Sequence, residues 1–466
     1  MSHRQFVALL LAGFLIRAIA LTGPGTGDVT IWKVWSYNAS RHGVGTMYGV
    51  GGEPLERRQL QFAGATATVD YPPLALYELR AAGDAYWVWS GRHFPNATAL
   101  NAFVKLPGFV AEIGLALLLF ALVRTRVDVT VARVAAGAYW LNPAALLDAS
   151  VLGYLDAQYV LPAVGALAAA ALNRPSLAGA LLAAAVLTKA QGVFVAPAIV
   201  LALWTIGAPQ KRAVRLWSAA SAGAAVAVAI VIPVVVAGGW PNMIQAIGRL
   251  ATHDMLSANA ANLWWLVGYL LRAWYSMHDM GVRAALTAPA KILGIQRVIE
   301  IGYPDPRAIG ILLTVAAIAW ALWTVWRASR MSQAAPDLWL VAGVGAFCVH
   351  AYAMLSAQVH ENHLFAAVPL LVLASAGREA FRPICASVSA VVALNLNLFY
   401  GLGDGIGYVL PRGLTIVDAT VILALVNCFL LSSHAVVLNR ECSTAAARRP
   451  PPAPASIRAP AVRSRS

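Results

Sequence analysis

AFVKLPGFVAEIGLALLLFALV, residues 102–123, is predominantly apolar up to Arg124 and Arg126, which close it, and this stretch decides the fold class. A run of this length is what a bilayer's hydrocarbon core, about 30 Å thick, demands of an α-helix. Similar apolar runs recur along the chain at approximately 6–22, 130–148, 157–172, 176–189, 192–206, 216–237, 307–326, 335–355, 363–377, 383–400 and 415–437. Together they predict an all-α polytopic membrane protein of about 12 spans. The first run, from Phe6, has no small-residue cleavage site of the signal-peptide kind and is expected to stay as a span, with Arg17 snorkelling to the interface.

Composition leads to the same class. For a chain of 466 residues, three soluble domains would be the usual expectation. Only 12% of its residues are charged, however, against about 25% in soluble domains, and 60% are hydrophobic. The mean hydropathy is +0.68. Too few charges remain to coat three water-facing surfaces, and disorder, collagen and coiled coil are excluded on the same grounds. Four cysteines are too few for a disulfide scaffold and read as free thiols.

The net charge of +14 does not point to nucleic acid, because many basic residues sit in short gaps between spans. Arg124, Arg126 and Arg133 fill one gap, and Arg174 another. Lys211, Arg212 and Arg215 fill a third, Arg327 and Arg330 a fourth, Arg378 and Arg382 a fifth. Every second short gap is basic, so these gaps share one face, which the positive-inside rule makes cytoplasmic. Both termini then lie inside. Residues 1–438 form the membrane domain, and the Pro- and Arg-rich stretch 439–466 is expected to be a disordered cytoplasmic tail.

The opposite face receives the residues that are hardest to explain structurally. A long first loop, about 24–101, is rich in Gly, Trp, Tyr and charge. In it Asp28–Arg41 has amphipathic helical spacing, and a second such stretch follows Pro72-Pro73; both are expected to lie along the membrane interface. Asp28, just after Gly27, suits either a helix N-cap or a general base. Asp70-Tyr71-Pro72-Pro73-Leu74 holds Asp70 and Tyr71 on a stiffened turn. Gly153-Tyr154-Leu155-Asp156-Ala157-Gln158 places Asp156 and Gln158 at the outer end of a span, and Asp148 also sits at that boundary. Lys189, with no basic neighbour, reads as a lone outer cation: a phosphate ligand or a snorkelling lysine. Asn259-Ala260-Ala261-Asn262-Leu263-Trp264-Trp265 combines amides with indoles, as sugar recognition requires, so Asn259, Asn262 and Trp264 are candidate sugar ligands. In Gln358-Val359-His360-Glu361-Asn362-His363, His360 and His363 are placed to grip an anionic leaving group, with Glu361 orienting them. No complete metal-ligand set is visible.

The order Gly27-Asp28, then Asp70-Tyr71-Pro72-Pro73-Leu74, then Val359-His360-Glu361 resembles the membrane glucosyltransferases that extend the lipid-linked N-glycan precursor, members of the GT-C superfamily. The Asn259–Trp265 stretch is similar to one in bacterial relatives of that superfamily. The resemblance runs from Gly27 to about Pro369. It implies an inverting transfer of a hexose, glucose or mannose, from a polyprenyl-phosphate-linked donor to a lipid-linked or cell-envelope glycan. It also implies Asp28 as general base, Asp70 and Tyr71 as shapers of the site, His360 near the donor phosphate, and no cofactor beyond the donor. Two departures stand out: Asn362 where the family has a lysine, and Val29-Thr30-Ile31-Trp32 after the aspartate.

One carboxylate suffices for such an inverting step, because a phosphate leaves without being protonated and needs only its charge met. Asp28 and His360, aided by Lys189 or Arg249, would be the minimal set. A site at a membrane boundary lets the donor's tail stay in hydrocarbon. A transporter or lipid flippase would also explain the spans, but the sequence shows no repeated halves. A noncatalytic envelope subunit is a third reading. Alanine-rich spans and the arginine-rich tail suit a bacterial plasma membrane, with the site on the non-cytoplasmic side.

Overall fold

A computed structural model describes residues 1–250 and 252–447. The chain begins with α1 (His3–Leu21), then the loop-one helices α2 (Gly27–His42) and α3 (Pro73–Trp89), with the hairpin strands β1 (Leu60–Phe62) and β2 (Ala65–Ala67) between them. Next come α4 (Thr98–Arg124), α5 (Val129–Trp140), α6 (Asp156–Ala171), α7 (Pro175–Thr188), α8 (Ala196–Thr205), α9 (Arg212–Val236) and α10 (Trp240–Leu250). Strand β3 (Ser257–Ala258) precedes α11 (Leu263–Met280), α12 (Pro306–Ser332) and α13 (Leu338–Leu355). Strand β4 (Val359–His360) precedes α14 (Ala367–Gly377), α15 (Arg382–Tyr400) and α16 (Ala419–Ala447).

Seven helices among the described residues are long and apolar enough to cross a membrane: α1, α4, α9, α12, α13, α15 and α16. The other five apolar runs fold as α5, α6, α7, α8 and α14, of 12, 16, 14, 10 and 11 residues. At about 1.5 Å per residue they reach roughly 15–24 Å, short of the bilayer core. The count of about twelve spans therefore stays an expectation. The chain leaves α-helical geometry beside these short helices, in π-helical Leu146–Leu152 and 3-10 Ala190–Val195. Irregular backbone next to membrane spans is tolerated where it is buried in protein or lines a cavity, and Ala190 and Gln191 do line one. α13 is the central span, with 83% of its apolar window buried, whereas α9, at 6%, lies on the rim.

Loop one holds α2 and α3, close to the two amphipathic stretches; that they lie along the membrane interface stays an expectation. They share a core of Val29, Trp32, Trp35, Leu76, Leu79 and Tyr86. Gly83 sets their spacing: a Cβ there would stand 2.7 Å from both the carbonyl oxygen and the Oγ of Ser36. Ser36 Oγ in turn donates to the Leu79 carbonyl at 2.8 Å.

Two expectations are corrected. Arg17 does not snorkel. It is fully buried, its Nε donates to Glu112 at 2.7 Å, and its guanidinium lies 3.9 Å from the centre of the Trp140 ring. Glu112 supplies the opposite charge inside the bundle, which removes the need to reach water. Nor does the tail begin at Asn439. α16 runs on to Ala447, and Glu441 within it accepts a hydrogen bond from Arg378 at 2.5 Å. The rest of the expected tail, 448–466, lies outside the described residues.

Candidate active site

Several helix ends and loops meet at one end of the bundle, and their first task is to fix the start of α2. Thr26 N–H donates to the Leu152 carbonyl at 3.0 Å. Lys105, buried in α4, donates to the carbonyls of Gly23 (3.0 Å) and Val151 (2.8 Å). Trp32 Nε1 donates to the Gly153 carbonyl at 2.9 Å. Gly153 has φ +81, and a Cβ there would come within 2.5 Å of Val29, so glycine is required on both counts. Asp28 thus sits in the first turn of a firmly anchored helix, where the dipole favours a negative charge.

Asp28 opens onto a cavity of about 370 Å³. Asp70, Tyr71, Lys189, His360, Glu361 and His363 line the same cavity. Seven of the twelve residues singled out from sequence therefore share one chamber, although they come from four separate segments. Pro72 and Pro73 open α3 and hold the Asp70–Tyr71 turn, and Tyr48 donates to the Tyr71 carbonyl at 2.6 Å. The Tyr71 ring packs at 5.3 Å from Trp32 and 5.6 Å from Trp35, forming an aromatic wall.

Lys189 is not the lone cation expected. Its Nζ donates to both carboxylate oxygens of Asp156, at 2.9 and 3.0 Å. Asn362 Nδ2 adds a third donor to Asp156 at 2.7 Å. Sequence spacing hid this pair because Asp156 opens α6 while Lys189 lies just past the end of α7. Asp156 is wholly buried behind the cavity wall, as a support for Lys189.

The far wall is the parallel pair β3–β4, with Ser257 opposite Val359 and Ala258 opposite His360. Asn395, from α15, fastens it: Nδ2 donates to the carbonyls of Asn259 (3.1 Å) and Glu361 (3.2 Å), and Oδ1 accepts from Ala261 N–H (2.9 Å). Behind it Asn427 Nδ2 donates to the Ala261 carbonyl at 2.9 Å, while its Oδ1 meets His350 Nε2 at 3.2 Å. Glu361 Oε1 accepts from the Tyr154 hydroxyl at 2.5 Å. The His363 ring touches the Tyr352 hydroxyl (3.0 Å) and the Gln191 amide (3.1 Å), so it braces the wall with neither nitrogen free.

Four candidates fall elsewhere. Asn259 flanks the cavity, donating to the Tyr400 hydroxyl at 3.0 Å. Asn262 caps α11, accepting from Trp265 N–H at 2.9 Å, and donates to the Ala353 carbonyl at 3.2 Å. Trp264 Nε1 donates to the Leu355 carbonyl at 2.7 Å. Those two fasten α11 to α13 because an unpaired amide or indole N–H beside a buried helix end would be costly. Gln158 lies between α3 and α4, its side-chain amide beside the Glu78 carboxyl and the Gly108 N–H. Arg249 donates to the Val69 carbonyl at 3.3 Å, beside the Asp70 turn. Sequence reading passed over Trp35, Gln191, His253 and Tyr400, which also line the cavity, and the supporting Asn395 and Lys105. Lys105 alone carried a legible signal, a charge inside an apolar run.

Enclosure shifts the loop groups. Burial raises the Asp28 carboxyl above its ordinary range, with Lys189 pulling the other way. Burial, with Asp28 nearby, pushes Asp70 up to about 6. Burial pushes Glu361 up to about 7 and drives His360 down to about 4. At neutral pH His360 is therefore a neutral N–H donor, and Asp70 and Glu361 carry less than full negative charge. The chamber combines carboxylates, hydrogen-bond donors and an aromatic wall.

No family model and no curated protein matches this sequence. The fold is similar to solved structures of the Archaeoglobus fulgidus oligosaccharyltransferase. One, tethered to an acceptor peptide, is 15% identical with a TM-score of 0.40 and covers 95% of this chain and 55% of that one. The apo form is 14% identical with a TM-score of 0.41, covering 95% and 56%. The complex with an inhibitory peptide and a dolichol-phosphate is 12% identical, again at 0.41, covering 94% and 56%. The chain spans about half the length of that protein.

Proposed function

We propose that the chain is an integral membrane glycosyltransferase. It moves a hexose, glucose or mannose, from a polyprenyl-phosphate donor to a lipid-linked or cell-envelope glycan, with inversion, on the non-cytoplasmic side of a bacterial plasma membrane. The observation that carries this reading is the shared chamber of Asp28, Lys189 and His360 beside an aromatic wall. An apolar groove of about 530 Å³ supports it. The groove is lined by Val193, Ala196, Pro197, Val200, Leu201, Trp204 and Leu322. Ala190 and Gln191 line the chamber, so the groove begins only two residues further along the chain. A headgroup in the chamber would leave its isoprenoid tail in that groove.

In this reading the acceptor hydroxyl attacks the anomeric carbon while Asp28 takes its proton. The bond from that carbon to the phosphate oxygen breaks, and its electron pair leaves on the phosphate. His360 offers the phosphate an N–H, and Lys189 offers the ammonium proton that Asp156 does not hold. The raised affinity of Asp70 and Glu361 for protons lessens repulsion of the anion. Transfer by Asp28→Asn from radiolabelled polyprenyl-phosphate hexoses tests the proposal. A fall of about 10²–10⁴-fold is expected for loss of a general base; wild-type rates would reject Asp28 in that role.

A further inference from the structure

Four polar groups of the chamber are left without partners: Gln191 Oε1, on a part-buried side chain, and three on side chains buried almost completely. Asn362 Nδ2 faces the acceptor-only carboxylate of Asp156, which fixes the amide orientation, and its Oδ1 is buried and unpaired. Glu361 Oε1 takes the Tyr154 hydroxyl, and its Oε2 is buried and unpaired. Trp35 is fully buried with no acceptor for its Nε1–H. These side chains are 4%, 5% and 0% exposed, and all three line the chamber. Buried polar groups are almost always paired in native proteins, so three in one chamber mark positions for a ligand to complete.

Charge narrows what that ligand is. Asp28, Asp70 and Glu361 line the chamber, while Lys189, the one lysine there among the described residues, is divided between Asp156 and the donor phosphate of the transfer reading, which leaves none for an acidic group on the sugar. A sugar carrying a carboxylate or sulfate would bring acceptor-only oxygens against acidic walls. A sugar hydroxyl donates and accepts, so it satisfies an amide oxygen as well as an indole N–H.

We infer that this chamber reads a neutral, hydroxyl-rich sugar, with Asn362 Oδ1 accepting from one hydroxyl and Trp35 Nε1 donating to another, and that it rejects uronic-acid sugars. Asn362 and Trp35 are thus specificity-determining residues. The identity of the ligand as a sugar rests on the transfer reading above; the selectivity is measured without it.

The test is equilibrium binding by calorimetry to the full chain in detergent. The probes are undecaprenyl-phosphate glucose and mannose, their monodeoxy analogues, undecaprenyl-phosphate glucuronate and undecaprenyl phosphate alone. At least one neutral hexosyl lipid should bind tenfold or more tighter than the glucuronosyl lipid. Removing the hydroxyl that Asn362 reads should weaken binding about ten- to a hundredfold. Asn362→Ala should erase that penalty and no other, and Trp35→Phe should erase a different one. Near-UV circular dichroism and a monodisperse gel-filtration profile like the wild type's show that both variants are folded. Equal or tighter binding of the glucuronosyl lipid overturns the inference. So do deoxy penalties that neither variant changes, or the failure of every hexosyl lipid to bind. Selective binding without transfer sinks the enzyme reading and leaves the recognition standing; transfer without selectivity does the reverse.

Discussion

The pair Asp156–Lys189 gives the sharpest quantitative expectation. The two side chains are 0% and 4% exposed, and Nζ stands 2.9 Å from Oδ1. At an effective dielectric of about 20, unit charges 2.9 Å apart attract by about 6 kcal/mol, most of it offset by the cost of leaving water. Lys189→Met leaves a buried carboxylate with only the Asn362 amide as donor. Asp156→Asn leaves a buried ammonium. Each single change should lower stability by about 3–5 kcal/mol. The double variant should recover most of that loss, because replacing a buried pair is often close to neutral. Denaturant titrations of the four proteins in detergent would give a coupling of at least about 3 kcal/mol. A coupling near zero, with the double variant as unstable as the two singles combined, would refute the reasoning. On the proposed mechanism transfer fails in the folded double variant, which lacks the ammonium proton assigned to the phosphate.

Asn395→Leu removes three hydrogen bonds from the β3–β4 wall and should cost about 1.5–4.5 kcal/mol, read as a lowered denaturation midpoint. Gly83→Ala forces a methyl group against Ser36 and should destabilise by about 1–3 kcal/mol; an unchanged melting temperature would remove Gly83 as the spacer of α2 and α3. Glu361 ordinarily titrates near 4.5 and is pushed up to about 7 by burial, so the folded chain keeps a proton that the unfolded chain releases. Its contribution to stability therefore falls as pH rises from about 4.5 to 7, and Glu361→Gln should flatten that slope in melts run across the range.

Much of the site was legible because membrane sequences separate their chemistry. Spans are almost free of charge, so polar residues at their outer ends stand out, and the alternation of basic gaps assigns those ends to one side. That is how Asp28, Asp70 and His360, far apart in sequence, were placed together. The amphipathic spacing of Asp28–Arg41 gave α2 to within a residue at each end. Partner choice was illegible. Lys189, just past the end of α7, pairs with Asp156 at the start of α6, and Arg17 pairs with Glu112 across ninety-five residues; periodicity carries no information about either. Asn262 and Trp264 looked like sugar ligands because an amide and an indole carry the same donors whether they meet a hydroxyl or a helix end. Asn395 sits in an apolar run with nothing in the local pattern to show that it holds the opposite wall.

The turn Ala190–Val195 has one more consequence. Its six residues, at about 2.0 Å each, rise roughly 12 Å and carry the molecule from water-loving to oil-loving chemistry within a single coil. For an amphiphile lying along it, the seam between head and tail is gauged by protein backbone rather than by the surrounding bilayer. One residue inserted after Gln191 would slide the two compartments apart by about 2 Å and twist them by a third of a revolution, uncoupling the fit of the headgroup from the seat of its hydrocarbon.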